Sequence, residues 1–194
     1  MLSSINPLGE RARGHRFGTT VLYYLAGSVL GGAIMGGLAG TLGALTLLGM
    51  GMQSRLWVFA VAAATAAALE WRGAPSWHRQ VNEDWLSLYR RWVYAAGYGV
   101  QLGSGFATTV STAGVYLWLL AALVLASPPA SALVGASFGL ARAAPIFAVW
   151  PRESAAELRE LHRRLISFGG FSRRVSIAAL GALAVVAALG GILH

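Results

Sequence analysis

Residues 25–45 read LAGSVLGGAIMGGLAGTLGAL. No charge interrupts them, and a spanning helix needs roughly 20 such apolar residues to cross the hydrocarbon of a bilayer. The stretch is also rich in glycine. Gly27 and Gly31 stand four apart, and so do Gly32, Gly36 and Gly40. Residues at i and i+4 share a helix face, so each series makes a smooth stripe against which another backbone can pack closely. Gly99/Gly103 and Gly135/Gly139 repeat the spacing. Two readings stay open: tight packing within the chain, or a homodimer or other membrane protein seated on the stripe.

The rest of the chain agrees with a lipid environment. Of 194 residues, 56% are hydrophobic and 11% charged, where soluble domains carry about 25% charged. The alternating segments of about 10 residues that a transmembrane β-barrel needs are missing. The expected fold class is therefore all-α, a polytopic transmembrane helical bundle in a single domain. The formal charge of +8 comes from arginines in short loops. Membrane orientation accounts for them, and no nucleic-acid partner is expected. Every cation is Arg, a bias that fits genome composition and also suits headgroup phosphates. With no Cys, this chain carries no thiol-disulfide chemistry, thiolate metal site or palmitoylation. The opening MLSSINPLGERARGHRFG has no apolar core of a signal peptide, so no secretory signal is expected.

Five hydrophobic segments are expected, at about 18–47, 55–71, 94–126, 130–150 and 174–193, with boundaries good to a few residues. The first and third exceed what a bilayer needs and must tilt, protrude or break. Thirteen of the fifteen arginines fall in residues 1–17, 72–93 and 151–174, alternate loops that share one side of the membrane. Arg55 alone falls on the other side, and Arg142 lies within a span. The positive-inside rule then gives five spans with the N-terminus inside and the C-terminus outside. Trp71, Trp92 and Trp150 fall at the inner boundary and Trp57 at the outer, the level an amphipathic indole prefers. The expected location is a bacterial cytoplasmic membrane, crossed several times.

Two inner loops read as amphipathic helices. In NEDWLSLYRRWV (82–93), Asn82 is placed to cap and Trp85, Leu88, Tyr89 and Trp92 share a face. In SAAELRELHRRL (154–165), Ser154 and Glu157 form a capping box and Leu158, Leu161 and Leu165 share a face. Both are expected to rest on the inner interface, where anionic lipid attracts arginine, with partner docking as the alternative.

The third segment is unusual. YGVQLGSGFATTVSTAGVY (98–116) concentrates Ser104, Thr108, Thr109, Ser111 and Thr112 close after Gly99, Gly103 and Gly105. The hydroxyls can bond back to their own helix or join two helices. Alternatively, Gly103-Ser104-Gly105 breaks the helix, which is tolerated only where the freed backbone lines a cavity. Transporters place their sites at such breaks. Arg142, in SFGLARAAPIF (137–147), lies inside the fourth segment with Pro145 just after it. An arginine at that depth costs a few kcal/mol. It either snorkels to the inner headgroups or faces a protein interior as an anion contact. Glu70 is the nearest counter-charge by depth. Pro145 removes a backbone bond and favours a kink.

These segments resemble the membrane domain of the cytochrome c biogenesis and thiol-reductant transporter family (CcdA/DsbD-like), within the LysE-type transporter group. That family has two inverted three-helix repeats, each opening with a helix broken at a Pro-Cys motif. GVQLGSGFATTVSTAGVYLWLLAALV looks like the opening helix of the second repeat, and ALVGASFGLARAAPIF like the next. SSINPLGERARG is similar to the inner end of the first helix, and LAGSVLGGAIMGG to the second. The resemblance implies a degenerate inverted repeat. Residues 1–71 would form the first half, 72–93 an amphipathic cytoplasmic loop and 94–194 the second half, with the family's first span missing. Asn6-Pro7 and Thr108-Thr109 stand where the family has reactive cysteines. The implied inheritance is thus a transporter frame without electron transfer, which needs thiolates.

Other chemistry finds little footing. His15, His78, His162 and His194 are far apart and show no ligand spacing, so no metal or cofactor is expected. The core offers no base for a Ser or Thr nucleophile, so no enzyme is expected. The expected role is a small-solute transporter or solute-binding protein, with Arg142, Thr108, Thr109, Ser111 and Thr112 at the site. The alternative is a non-transporting accessory or scaffold subunit of a membrane complex.

Overall fold

The computed structural model describes residues 5–73, 84–105, 112–150, 152 and 154–193, and among them every regular element is helical. The order is α1 (Pro7–Ala12), α2 (Phe17–Thr46), α3 (Met52–Arg72), α4 (Trp85–Leu88), α5 (Arg91–Ser104), α6 (Gly114–Leu125), α7 (Pro128–Ala143), α8 (Ile146–Val149), α9 (Ala155–Ser167) and α10 (Gly169–Leu193). Four of the described helical stretches are long and apolar enough to cross a membrane: α2, α3, the joined α7–α8 and α10. The chain is an all-α bundle of a multi-pass membrane protein.

Glycine decides how the bundle closes, and α2 is its axis. A β-carbon on Gly27 would strike the Ala96 carbonyl of α5, and one on Gly31 would lie 2.5 Å from the Val100 oxygen. Gly99 and Gly103 answer from α5 against the Tyr24 and Ser28 carbonyls. On its other flank α2 meets α7, with Gly32 against Gly135, Gly36 against Ser131 and Gly139 against Ser28. Gly40 closes on the Ser131 side chain. Both stripes read from the sequence are thus filled by helices of the same chain. Hydroxyls add interhelical bonds: Ser28 donates to the Gly139 carbonyl at 2.8 Å and Ser131 to the Ala122 carbonyl at 2.6 Å.

These contacts fix helix direction. Along α2, rising residue number meets rising number first in α5 and then in α6, where Leu123 reaches Gly43. It meets falling number in α7. Thus α5 and α6 run in tandem parallel to α2, and α7 runs antiparallel. Helix α3 lies antiparallel to α10: Gln53 donates to Gly191 O at one end, and Arg173 donates to Glu70 O and Trp71 O at the other. The four stretches long enough to cross are thus accompanied by α5 and α6, which follow one another along α2. The described parts of the arginine-rich segments gather at one end. Arg55, the exception, bonds the Met50 and Leu47 carbonyls beyond α2, so its charge serves as a cap.

The third segment, expected to tilt, protrude or break, has α5 ending at Ser104 and α6 starting at Gly114. One expectation needs correction: 82–93 is not a continuous amphipathic helix. Residues 82 and 83 lie outside the described residues, α4 has a single turn, and Tyr89 and Arg90 are extended. Trp85 keeps its contact with Tyr89, ring centroids 5.6 Å apart, and also stacks on Tyr98 of α5, centroids 6.1 Å apart and planes 8° apart. That aromatic contact outweighs a helix of few residues, which has little stability alone. Helix α9 forms with Ser154 Oγ accepting the Glu157 N–H at 3.2 Å.

Candidate functional site

The end of α5 meets an aromatic wall. Gly105 takes φ +79°, the left-handed geometry that glycine adopts freely, and its N–H donates to Leu102 O at 3.2 Å. A β-carbon there would lie 3.3 Å from Trp118 Nε1 and 3.5 Å from the Phe138 ring. Trp118 of α6 stacks on Phe138 of α7, centroids 4.4 Å apart. The Arg142 guanidinium stands over the Phe138 ring, 5.7 Å from its centre, with the Tyr24 phenol of α2 as its electrostatic neighbour. Elements α2, α5, α6 and α7 therefore converge on one region inside the bundle.

Arg142 is half-buried. Helical side chains lean toward the helix N-terminus, and α7 runs toward the arginine-rich end. The guanidinium lies by the Phe138 ring, one turn back along α7. The counter-charge expectation changes. Glu70 is buried and its Oε2 accepts the Ala113 N–H at 2.9 Å, holding the start of α6 where backbone donors are unsatisfied. Glu70 thus positions the half-helix.

Of the expected hydroxyls, Thr112 is half-buried and its Oγ1 accepts the Gly114 N–H at 2.9 Å. Thr108, Thr109 and Ser111 lie outside the described residues. Ser104 donates to Gln101 O in its own helix. Gly103 is packed inside α5 against Ser28, and Gly105 follows the helix end. Pro145 lies in the turn between α7 and α8.

The sequence reading missed a second polar cluster at the arginine-rich end. Glu10 of α1 is fully buried. Its carboxylate accepts from Arg13 Nη2 at 2.6 Å, Thr20 Oγ1 at 2.6 Å and Tyr94 Oη at 2.8 and 2.9 Å. His15 Nδ1 stands 3.2 Å from the same phenol oxygen. Burial pushes the Glu10 carboxyl up, but bonds from Thr20, Arg13 and Tyr94 outweigh it and hold it below its ordinary 4.5. Asn6, at the Asn-Pro pair, caps α1 through Oδ1 and the Gly9 N–H, 2.8 Å apart, with Pro7 in the first turn. The cluster ties α1, α2 and α5 together. Its only sequence signal is that start motif, which places Glu10 on a helix; Tyr94 is 84 residues away.

Among the described residues, no group of three His, Asp or Glu side chains is placed to hold a metal. No family model matches the chain, and neither a curated protein nor a solved structure matches it.

Proposed function

We propose that this chain binds and moves a small anionic solute across a bacterial cytoplasmic membrane, as a transporter and not an enzyme. The site lies where α5 gives way to α6, against α2 and α7. Arg142 supplies the charge contact, the Trp118–Phe138 stack an apolar wall, and Thr112 with Thr108, Thr109 and Ser111 the hydroxyls. The observation that carries this reading is the half-buried Arg142 guanidinium over the Phe138 ring, which the end of α5 also meets at Gly105. An arginine kept inside a bundle needs a protein or ligand partner to offset its desolvation. The likeness to the CcdA/DsbD-like frame belongs to this proposal too, without redox chemistry, since the chain has no Cys.

The test is thermal unfolding of the full chain in detergent against a panel of small carboxylates, phosphates and sulfonates. A ligand bound only by the folded state raises the midpoint with concentration. At least one anion should stabilise wild type and leave Arg142→Ala unmoved. Equal stabilisation of both removes Arg142 from the site. The accessory-subunit reading draws on α3 and α10, whose apolar windows are each only 17% buried within the chain. Crosslinking in native membranes that returns only the bare chain counts against it.

A further inference from the structure

The arginine-rich end holds a helix whose apolar side the described protein covers only in part, with Leu158 and Leu161 half-buried and Leu165 exposed. No residue of α9 is buried, although Leu158, Leu161 and Leu165 share a side. An open groove of about 640 Å³ runs between that side and the end of the bundle, bounded there by Asn6 and Val149. Arg159 and Arg163 border the same groove. The groove lies at the inner boundary: Trp150, next to Val149, packs against Phe17 at the start of α2, and α10 enters the apolar region just after α9. What meets this surface in a cell is therefore the edge of the bilayer, where amphipathic helices lie with their apolar side among the acyl chains.

Charge selects among lipids. Glu160 holds Arg163 at 2.6 Å and Arg164 at 2.9 Å. Among the described residues, no acid lies within ion-pair distance of Arg159, which is exposed. We propose that this groove seats an anionic phospholipid of the arginine-rich side. Its acyl chains would lie along Leu158, Leu161 and Leu165, with its phosphate on Arg159 and shared with Arg163 as that side chain turns from Glu160. Arginine suits the phosphate because its planar donors reach two oxygens at once. The inference rests on the membrane reading and not on transport, so it stands or falls apart from Arg142.

The cysteine-less chain allows a direct test. Leu165→Cys carries one environment-sensitive fluorophore, and the full chain is reconstituted into phosphatidylcholine vesicles with or without phosphatidylglycerol. With phosphatidylglycerol, the probe should shift to the blue and be quenched by lipid spin-labelled near the headgroup. Salt should weaken that response. Arg159→Gln with Arg163→Gln should lower the docked-to-undocked ratio roughly fivefold per arginine removed. Glu160→Gln, which releases Arg163 and Arg164, should move the ratio the opposite way. Both changes lie on a helix with no buried residue, so the fold should tolerate them. A probe equally exposed in both vesicles overturns the proposal and leaves the face to a protein partner. So does a phosphatidylglycerol response that neither variant changes.

Discussion

Glu10 shows what a single residue contributes at the arginine-rich end. Its folded pKa lies below the ordinary 4.5. The stability it adds is therefore complete above that value and is lost as pH falls through the lowered one. Wild type should keep a flat unfolding midpoint from neutral pH down to about 4.5 and then lose stability. Glu10→Gln should lower the neutral midpoint by the equivalent of about 2 kcal/mol, since bonds to a charged group are lost. It should also flatten the acid limb. Calorimetry in detergent reads both, and parallel acid limbs in the two proteins refute the assignment. The sequence places Glu10 among arginines and says nothing of Tyr94, because the bonds that matter close across 84 residues. Arg142 was legible as a charge inside an apolar run. Its neighbour Tyr24 was not, because α2 and α7 are brought together only by packing.

At the scale of elements, the spacing of glycines was the most readable signal, since i and i+4 positions share a face whatever the partner is. Which helix fills each stripe needed the three-dimensional register. Gly32 meets Gly135 and Gly36 meets Ser131 by backbone against backbone, with no flexible side chain to yield. Gly32→Ala or Gly36→Ala should cost about 3 kcal/mol, the upper end for overpacking. Gly49→Ala, with open space around it, should leave the unfolding midpoint in place. Equal behaviour of Gly32→Ala and Gly49→Ala would deny that α2 and α7 touch there. The excess length of the third segment and Gly103-Ser104-Gly105 are local signals for an end to α5. The hold of Glu70 on Ala113 leaves no local trace, since donor and acceptor lie 43 residues apart. Helix α4 shows a local pattern overridden: the shared face of 82–93 suggested one helix, and the chain turns extended at Tyr89 and Arg90 while Trp85 also stacks on Tyr98.

At the scale of the whole molecule, the fold class was legible because composition and charge segregation are averages over many residues. Helix direction agrees with the arginine count, as α2, the α5–α6 tandem and α10 run one way and α3 and α7 the other. Gly49→Cys and Gly169→Cys occupy exposed positions at opposite ends of the bundle. A membrane-impermeant thiol reagent applied to intact spheroplasts should label the first and spare the second, in line with the positive-inside rule. Labelling of both from one side would contradict five crossings.

The functional account turns on Arg142 at the broken crossing, and flux through proteoliposomes tests it most directly. The full chain, reconstituted and loaded with the anion that best stabilises it, should exchange that anion with the outside. Arg142→Ala should slow exchange about tenfold or more, the weight of one charged hydrogen bond. Arg142→Lys should fall between, and Arg159→Gln in the same lipid should leave the rate near wild type. Exchange at the wild-type rate by Arg142→Ala would contradict the account.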